Sequence, residues 1–498
     1  MILLGLYTIV RMSAAIMARG ESILTTKTTV LLVKNYSLPI IIDDQKMEVK
    51  SSGCEIDMHL HIPNYDTILA RYYPVYPFGD IRPEHQPLFD KVQITLISDN
   101  MLVVPKVEYE PHGHYHIQAL LVEEGLYKMY IRLECGSVDY MTMTRQLWLG
   151  NDINQLTYSN CYLETRSIVT NVSFTVNGIA SKSKESTEYC SSTQAFHGRF
   201  HIGSNFNYYD ANQHDGDVDF TFQPYGCKLR DTSNTAELLG LLSNQHIIFL
   251  GDSTMEAVYR GILERMYGPN TFIDENNSPE WKNSSLKYST LSQWTRVSKR
   301  WFDFDKNNVR LSFMFDGASE IADDWGGAVV EDFTTSTRWE NYRSELRRII
   351  RESITQCRPI TLFFNSGLHD IYSGRNLTGD GGDNLYIRNL EKSVMNLKNM
   401  VYEEKSRRLN NVSCSDAAIE SHFFWLNTVP PLGVRICGGG IVRYLNQEAA
   451  AVVHRYGFRI LDIYSFLTGM ILNFIELQYN NSVTFLHCCL HLINRLCS

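Results

Sequence analysis

Apolar positions change their spacing partway along this chain. In the first part, the runs KVQITLIS (residues 91–98), HYHIQALLVE (114–123), LYKMYIRLEC (126–135) and SIVTNVSFTV (167–176) alternate apolar with polar residues. They are rich in Val, Ile, Thr and Tyr and are separated by Gly, Pro, Asp and Asn. Period-two patterning of this kind predicts strands with one buried face, so residues 86–180 read as an antiparallel β-sandwich of the immunoglobulin or cadherin-like type. Upstream, residues 21–85 hold strand-like runs at 29–33 and 39–42 among several prolines and predict only a poorly defined leader. The short polar stretch SKSKEST at 181–187 predicts a linker.

Beyond the linker the pattern becomes continuous. Unbroken apolar runs at 246–250, 309–315, 360–364, 422–426 and 458–463 alternate with segments at 254–267, 339–356, 384–407 and 445–456, whose apolar residues recur three and four apart. Parallel strands buried on both faces give such runs, and crossover helices must connect them. The prediction for residues 188–498 is a three-layer α/β/α domain built on about five parallel strands, with its chemistry at their carboxyl ends.

Composition narrows the class and the compartment. Of 498 residues, 44% are apolar and 20% charged, as in a folded globular protein. The net charge of −9 and the lack of any Lys/Arg block argue against a nucleic-acid partner. Eleven cysteines are scattered without a CxxC pair, which argues against a zinc knuckle, and their odd number leaves at least one outside any intrachain disulfide. Sequons at Asn35, Asn171, Asn276, Asn283, Asn376, Asn411 and Asn480 fit the secretory pathway, either its lumen or secretion. Residues 1–20 form a signal-like segment, although Arg11 interrupts it and no basic stretch precedes it. Since no apolar run reaches about 18 residues, no transmembrane helix is expected; the shorter run at 466–477 reads as a core helix. His112, His114 and His116 alternate with Gly113 and Tyr115. They predict a solvated strand edge, and neither a metal nor an organic cofactor is expected.

The chemistry concentrates where the second pattern begins, in HIIFLGDSTMEAVYRGILERMYG (246–268). An apolar strand ends in Gly251-Asp252-Ser253-Thr254, and Met255, Val258, Ile262 and Met266 then mark a helix. A serine in such a strand-turn-helix lies at a sheet's carboxyl edge, where free helix N–H groups point at ligands. Ser253 is therefore a candidate nucleophile. The same residues also make an ordinary turn with an Asp or Ser helix cap. The other strand ends carry Asp316-Gly317, Asn365-Ser366-Gly367-Leu368-His369-Asp370, Asn427 and Asp462. Gly317 can offer a bare backbone N–H and Asn365 a side-chain amide to a developing oxyanion. Phosphoryl transfer through Asp252 and a metal is less favoured, because no acidic cluster joins Asp316 and Asp462.

These pieces resemble a family. The GDST turn, the FNSGLHD stretch, and upstream Cys190, Gly198-Arg199-Phe200 and Phe222-x-Pro224-x-x-Cys227-x-Leu229 look like the PC-esterase branch of the SGNH (GDSL-type) hydrolases over roughly residues 190–468. With a sandwich in front, the chain is similar to the cadherin-like-and-PC-esterase and the neurexophilin-and-PC-esterase proteins. The resemblance implies a paired-cysteine segment ahead of the GDS strand. It also implies a serine esterase or O-acyltransferase acting on acyl groups of glycans or glycoproteins, with Ser253 as nucleophile and Gly317 and Asn365 as oxyanion donors. One departure stands against it: the branch places its acid and base as Asp-x-x-His, and no such motif occurs after Ser253. Only His487 and His491 lie in the corresponding stretch. Three accounts stay open. His487 serves with a carboxylate from elsewhere, or the C-terminal end has lost the pair, or the chain is a pseudoenzyme that keeps the fold for binding.

Overall fold

The computed structural model describes residues 23–26, 29–33, 38–50, 53–61, 92–110, 114–133, 168–177, 188–190, 198–202, 220–228, 235–267, 286–290, 300–315, 336–367, 385–409, 421–428 and 439–463. The signal-like segment, the linker, the apolar run at 466–477, and Gly317, His369, Asp370 and His487 lie outside them. Among the described residues the fold is mixed α/β, with two antiparallel sheets and one mixed sheet.

The chain begins with β1 (Ile23–Thr26), β2 (Thr29–Val33), β3 (Leu38–Lys50) and β4 (Gly53–His61), followed by β5 (Val92–Ile97), β6 (Met101–Val103), β7 (Lys106–Glu110), β8 (His114–Leu121), β9 (Gly125–Leu133) and β10 (Ile168–Val176). The leader thus supplies four strands. One six-stranded sheet has the order β1-β3-β4-β8-β7, with β2 also on β3. In it β8 is an interior strand, so His114 and His116 do not sit on an edge as the sequence predicted.

The other antiparallel sheet runs β10-β9-β5-β6 and then takes in two strands from beyond the linker, β11 (Gly198–Ile202) and β12 (Phe220–Pro224). Phe200 pairs with Leu102, and β11 pairs with β12 along its length. Gly198 is required by this hairpin, because a Cβ there would lie 2.3 Å from the Gln223 carbonyl oxygen. The next residue, Arg199, donates to Glu123 Oε1 at 3.2 Å. A disulfide joins Cys190 to Cys227, and backbone bonds from Cys190 N to Lys228 O (3.1 Å) and from Lys228 N to Glu188 O (2.8 Å) hold the same crossing. Among the described residues, no helix is long and apolar enough to cross a membrane.

Next come α1 (Thr235–Leu242), β13 (His246–Gly251), α2 (Ser253–Tyr267), β14 (Leu286–Thr290), β15 (Arg300–Lys306), β16 (Val309–Phe315), α3 (Ser336–Thr355), β17 (Ile360–Phe364), α4 (Leu385–Leu409), β18 (Ser421–Leu426), α5 (Gly439–Arg455) and β19 (Arg459–Leu461). The seven-stranded sheet has the order β14-β15-β16-β13-β17-β18-β19, and from β16 to β19 its neighbours are parallel. The continuous apolar runs have a direct cause: alternate residues of one strand enter different cores. Ile248 and Leu250 pack with Leu346 and Ile349 of α3, Leu390 of α4 and Leu445 of α5. Ile247 and Phe249 pack with Leu238 and Leu242 of α1 and with Val258 and Ile262 of α2. Each such side chain, fully buried, contributes about 1.5–3 kcal/mol, so neither face of β13 can turn to water.

An ion pair between the exposed Arg351 and the buried carboxylate of Glu404 clamps α3 to α4. Arg351 donates from Nε to Glu404 Oε2 at 2.8 Å and from Nη2 to Oε1 at 3.1 Å, and Arg407 Nη1 donates to Oε1 at 3.0 Å. The Arg351 hydrogen bonds and charge hold the Glu404 carboxyl below its usual range, against the opposing effect of burial. A carboxyl depressed in the folded state stabilises the fold above the unfolded value, about 4.3, and that contribution is lost as pH falls through the folded value. Denaturant unfolding should therefore show lower stability at acid pH than at neutrality, and Glu404→Gln should flatten that dependence. A variant with the wild-type pH slope would remove Glu404 from the account.

Candidate functional site

The turn after β13 is built by close approach. Gly251 lies against the next strand end: a Cβ would sit 3.0 Å from the Asn365 carbonyl oxygen and 3.0 Å from Met255 Cβ. Asp252, only 1% exposed, is the helix cap. Its Oδ1 accepts from Thr254 N at 2.8 Å, and its carbonyl accepts from Glu256 N at 3.1 Å. A carboxylate at this end also meets the positive pole of α2. Asp252 Oδ2 is buried with no hydrogen-bond partner among the described residues. The capping role thus falls to Asp252, and Ser253 stands as the first residue of the helix.

The position of Ser253 in the sheet follows from strand order. α2 enters one core while α3, α4 and α5 enter the other, so the helices leaving β13 and β17 diverge. In open α/β sheets a crevice forms at such a switch point, outside the carboxyl ends of the strands. Asn365 lies on the other side of it, its backbone N donating to Leu250 O at 3.0 Å. Its side-chain Nδ2 donates to Leu426 O at 2.9 Å, and its Oδ1 is buried without a partner among the described residues. One amide hydrogen is thereby committed to β18, and only the second is left for an oxyanion.

The strand ends beyond are cross-braced. Ser366 O accepts from Tyr386 Oη at 3.0 Å and from Thr428 Oγ1 at 2.5 Å. Gly367 is tied down by the same two residues: with φ of 126°, a Cβ would lie 2.9 Å from Thr428 Oγ1 and 3.1 Å from Tyr386 Oη. Asn446 of α5 closes a double hydrogen bond with the Thr428 backbone, at 2.8 and 2.9 Å. Asn427 Nδ2 donates to Asp462 Oδ1 at 3.0 Å, which brings together the polar residues that end β18 and β19. Thr428, Tyr386 and Asn446 were not singled out from sequence as parts of this rim, whereas an Asp cap at this turn was among the readings. A buried Asn or Thr inside an apolar helix or at a strand end was the available signal.

No described histidine of residues 235–463 shares that edge. His246 and His422 lie at the amino ends of β13 and β18, and His454 ends α5. His246 is wholly buried and hydrogen-bonds Ser353 Oγ and, at 2.7 Å, Ser312 Oγ. At roughly 3.3 Å per strand residue it stands about 20 Å from Ser253, a core polar bridge and not a base for it. Ser253 and Asn365 are thus brought to neighbouring strand ends, whereas Gly317 and His487 lie outside the described residues.

No protein-family model matches this chain, and no curated protein matches it significantly in sequence.

Proposed function

We propose that residues 188–498 form a three-layer SGNH-type domain of the PC-esterase kind, and that Ser253 transfers acyl groups, acetyl foremost, from or to glycans of the secretory pathway. The observation that carries this reading is Ser253 opening α2 at the switch point, with Asn365 on the adjoining strand end. Two cores on opposite faces of the sheet support the layered arrangement. In the mechanism that follows, Ser253 Oγ attacks the acyl carbonyl carbon as its proton passes to a base, with His487 as candidate. The free N–H of Asn365 and the backbone N–H of Gly317 stabilise the oxyanion, the leaving alkoxide takes the proton, and water or a sugar hydroxyl then receives the acyl group.

A second reading, a binding module without turnover, is favoured by one specific observation: no Asp-x-x-His follows Ser253. Labelling the intact glycoprotein with a fluorophosphonate, then mapping the peptide, separates the two. Modification at Ser253 that His487→Ala slows supports acyl transfer. A folded protein that binds an O-acetylated glycan but takes no label supports the binding module.

A further inference from the structure

The geometry points to a divalent transition-metal site, zinc first, on the outer face of the first antiparallel sheet, with Asp57, His59 and His116 as its protein ligands. It does not depend on the reading of Ser253.

The strand pattern sets the face. Along β4, Ile56, Met58 and Leu60 are buried, and Asp57, His59 and His61 alternate with them; along β8, Tyr115 and Ile117 are buried, and His114 and His116 alternate. Register then makes rows from residues far apart in sequence. His59 stands opposite His116 and His61 opposite His114, while Glu108 of β7 stands opposite His116 on its other side. The imidazoles are nearly parallel, with centroids 4.7 Å apart for His59 and His116 and 4.0 Å for His61 and His114.

One donor atom from each of Asp57, His59 and His116 falls in a group whose members all lie within 4.8 Å of one another, and His116 Nε2 is 2.8 Å from Asp57 Oδ1. Zinc bonds of about 2.0–2.2 Å at tetrahedral angles separate donors by roughly 3.3 Å, so the donor spacing suits a metal once the stacked imidazoles tilt apart to aim their nitrogen lone pairs at one point. Behind His116, Glu108 Oε2 lies 3.7 Å from Nδ1. Lys106 holds its other oxygen, and closing the 3.7 Å gap to a hydrogen bond would let this carboxylate orient a ligand imidazole and raise its basicity. Two nitrogens and one carboxylate oxygen, with a fourth position toward solvent, suit Zn(II) and also Cu(II) or Ni(II). They suit calcium and magnesium poorly, since those ions require more oxygens. The three ligands project from an interior pair of strands, which fixes their spacing as a loop would not. Without a metal, the same contacts are ordinary cross-strand pairs.

The test uses the full-length protein, stripped with a chelator and titrated with zinc against a chromophoric competitor. The wild type should bind zinc at a site that His59→Ala and His116→Ala remove, that Glu108→Gln weakens about 10- to 100-fold, and that His201→Ala leaves intact. Asp57→Asn keeps the shape of the cluster while deleting the charge and replacing one acceptor oxygen by a donor, and should also weaken binding. Cobalt(II) in the same site should give visible bands without thiolate charge transfer, which separates it from the cysteines. Equal zinc affinity in wild type and His116→Ala, a thiolate spectrum, or no binding by folded wild type would each overturn the assignment.

Discussion

Ser253→Ala should lower kcat for release of acetate from an O-acetylated glycan by on the order of 10³- to 10⁶-fold, with little change in KM. On the acyl-transfer reading, the variant loses the atom that would form the acyl-enzyme while keeping what would bind substrate. Its effect on folding should be small: Asp252, not Ser253, caps α2, and alanine is the best helix former. That separation makes the measurement clean, because thermal unfolding of the variant should match the wild type. Asp252→Asn serves as the companion, since an Asn can also cap the helix. Acetate release at the wild-type rate by Ser253→Ala would end the nucleophile assignment. A wild type that binds the glycan without turning it over would leave the binding module standing.

Replacing Cys190 and Cys227 together by serine should cost about 4 kcal/mol in the cooperative unit that contains them, by the loop-entropy relation for their separation of 37 residues. Both half-cystines are buried, at 0% and 9% exposure, so the serine hydroxyls would also lie buried without good partners. The bridge closes the segment that carries β11 and β12, hence the loss should appear in the sheet those strands complete. Proteolysis under native conditions, mapped by mass spectrometry, should cut near residues 198–228 in the double variant and spare them in the wild type. Unchanged cleavage and an unchanged unfolding midpoint would show that backbone pairing alone holds the crossing.

The parallel part of the mixed sheet was legible because both faces of its strands are dry. Runs such as Ile247-Ile248-Phe249-Leu250 have no polar beat, and the helices between them keep a clean spacing of three and four. β15 was missed for the opposite reason: Arg300-Trp301-Phe302-Asp303-Phe304-Asp305 is polar enough to pass as a loop, and its strand character comes from pairing with β16. The eight-residue α1 is too short to show a period. At the candidate site, Ser253 and Asn365 could be read because each ends an apolar run. The bracing of Ser366 by Thr428 and Tyr386 could not, since those partners come from β18 and α4. The histidine face was hidden in the same way. His116 meets Asp57 across 59 residues of sequence, and only strand register reveals the pairing.

The pairing of β6 with β11 sets a timetable for synthesis. β6 ends at Val103, and the hairpin that covers its open edge is complete only at Pro224. At about 5–20 residues per second, an emerging chain would present that edge uncovered for roughly 6–24 s. During that interval the unpaired backbone of Met101-Leu102-Val103 is a template for another nascent chain. A chaperone that shields this edge would have to act within that window.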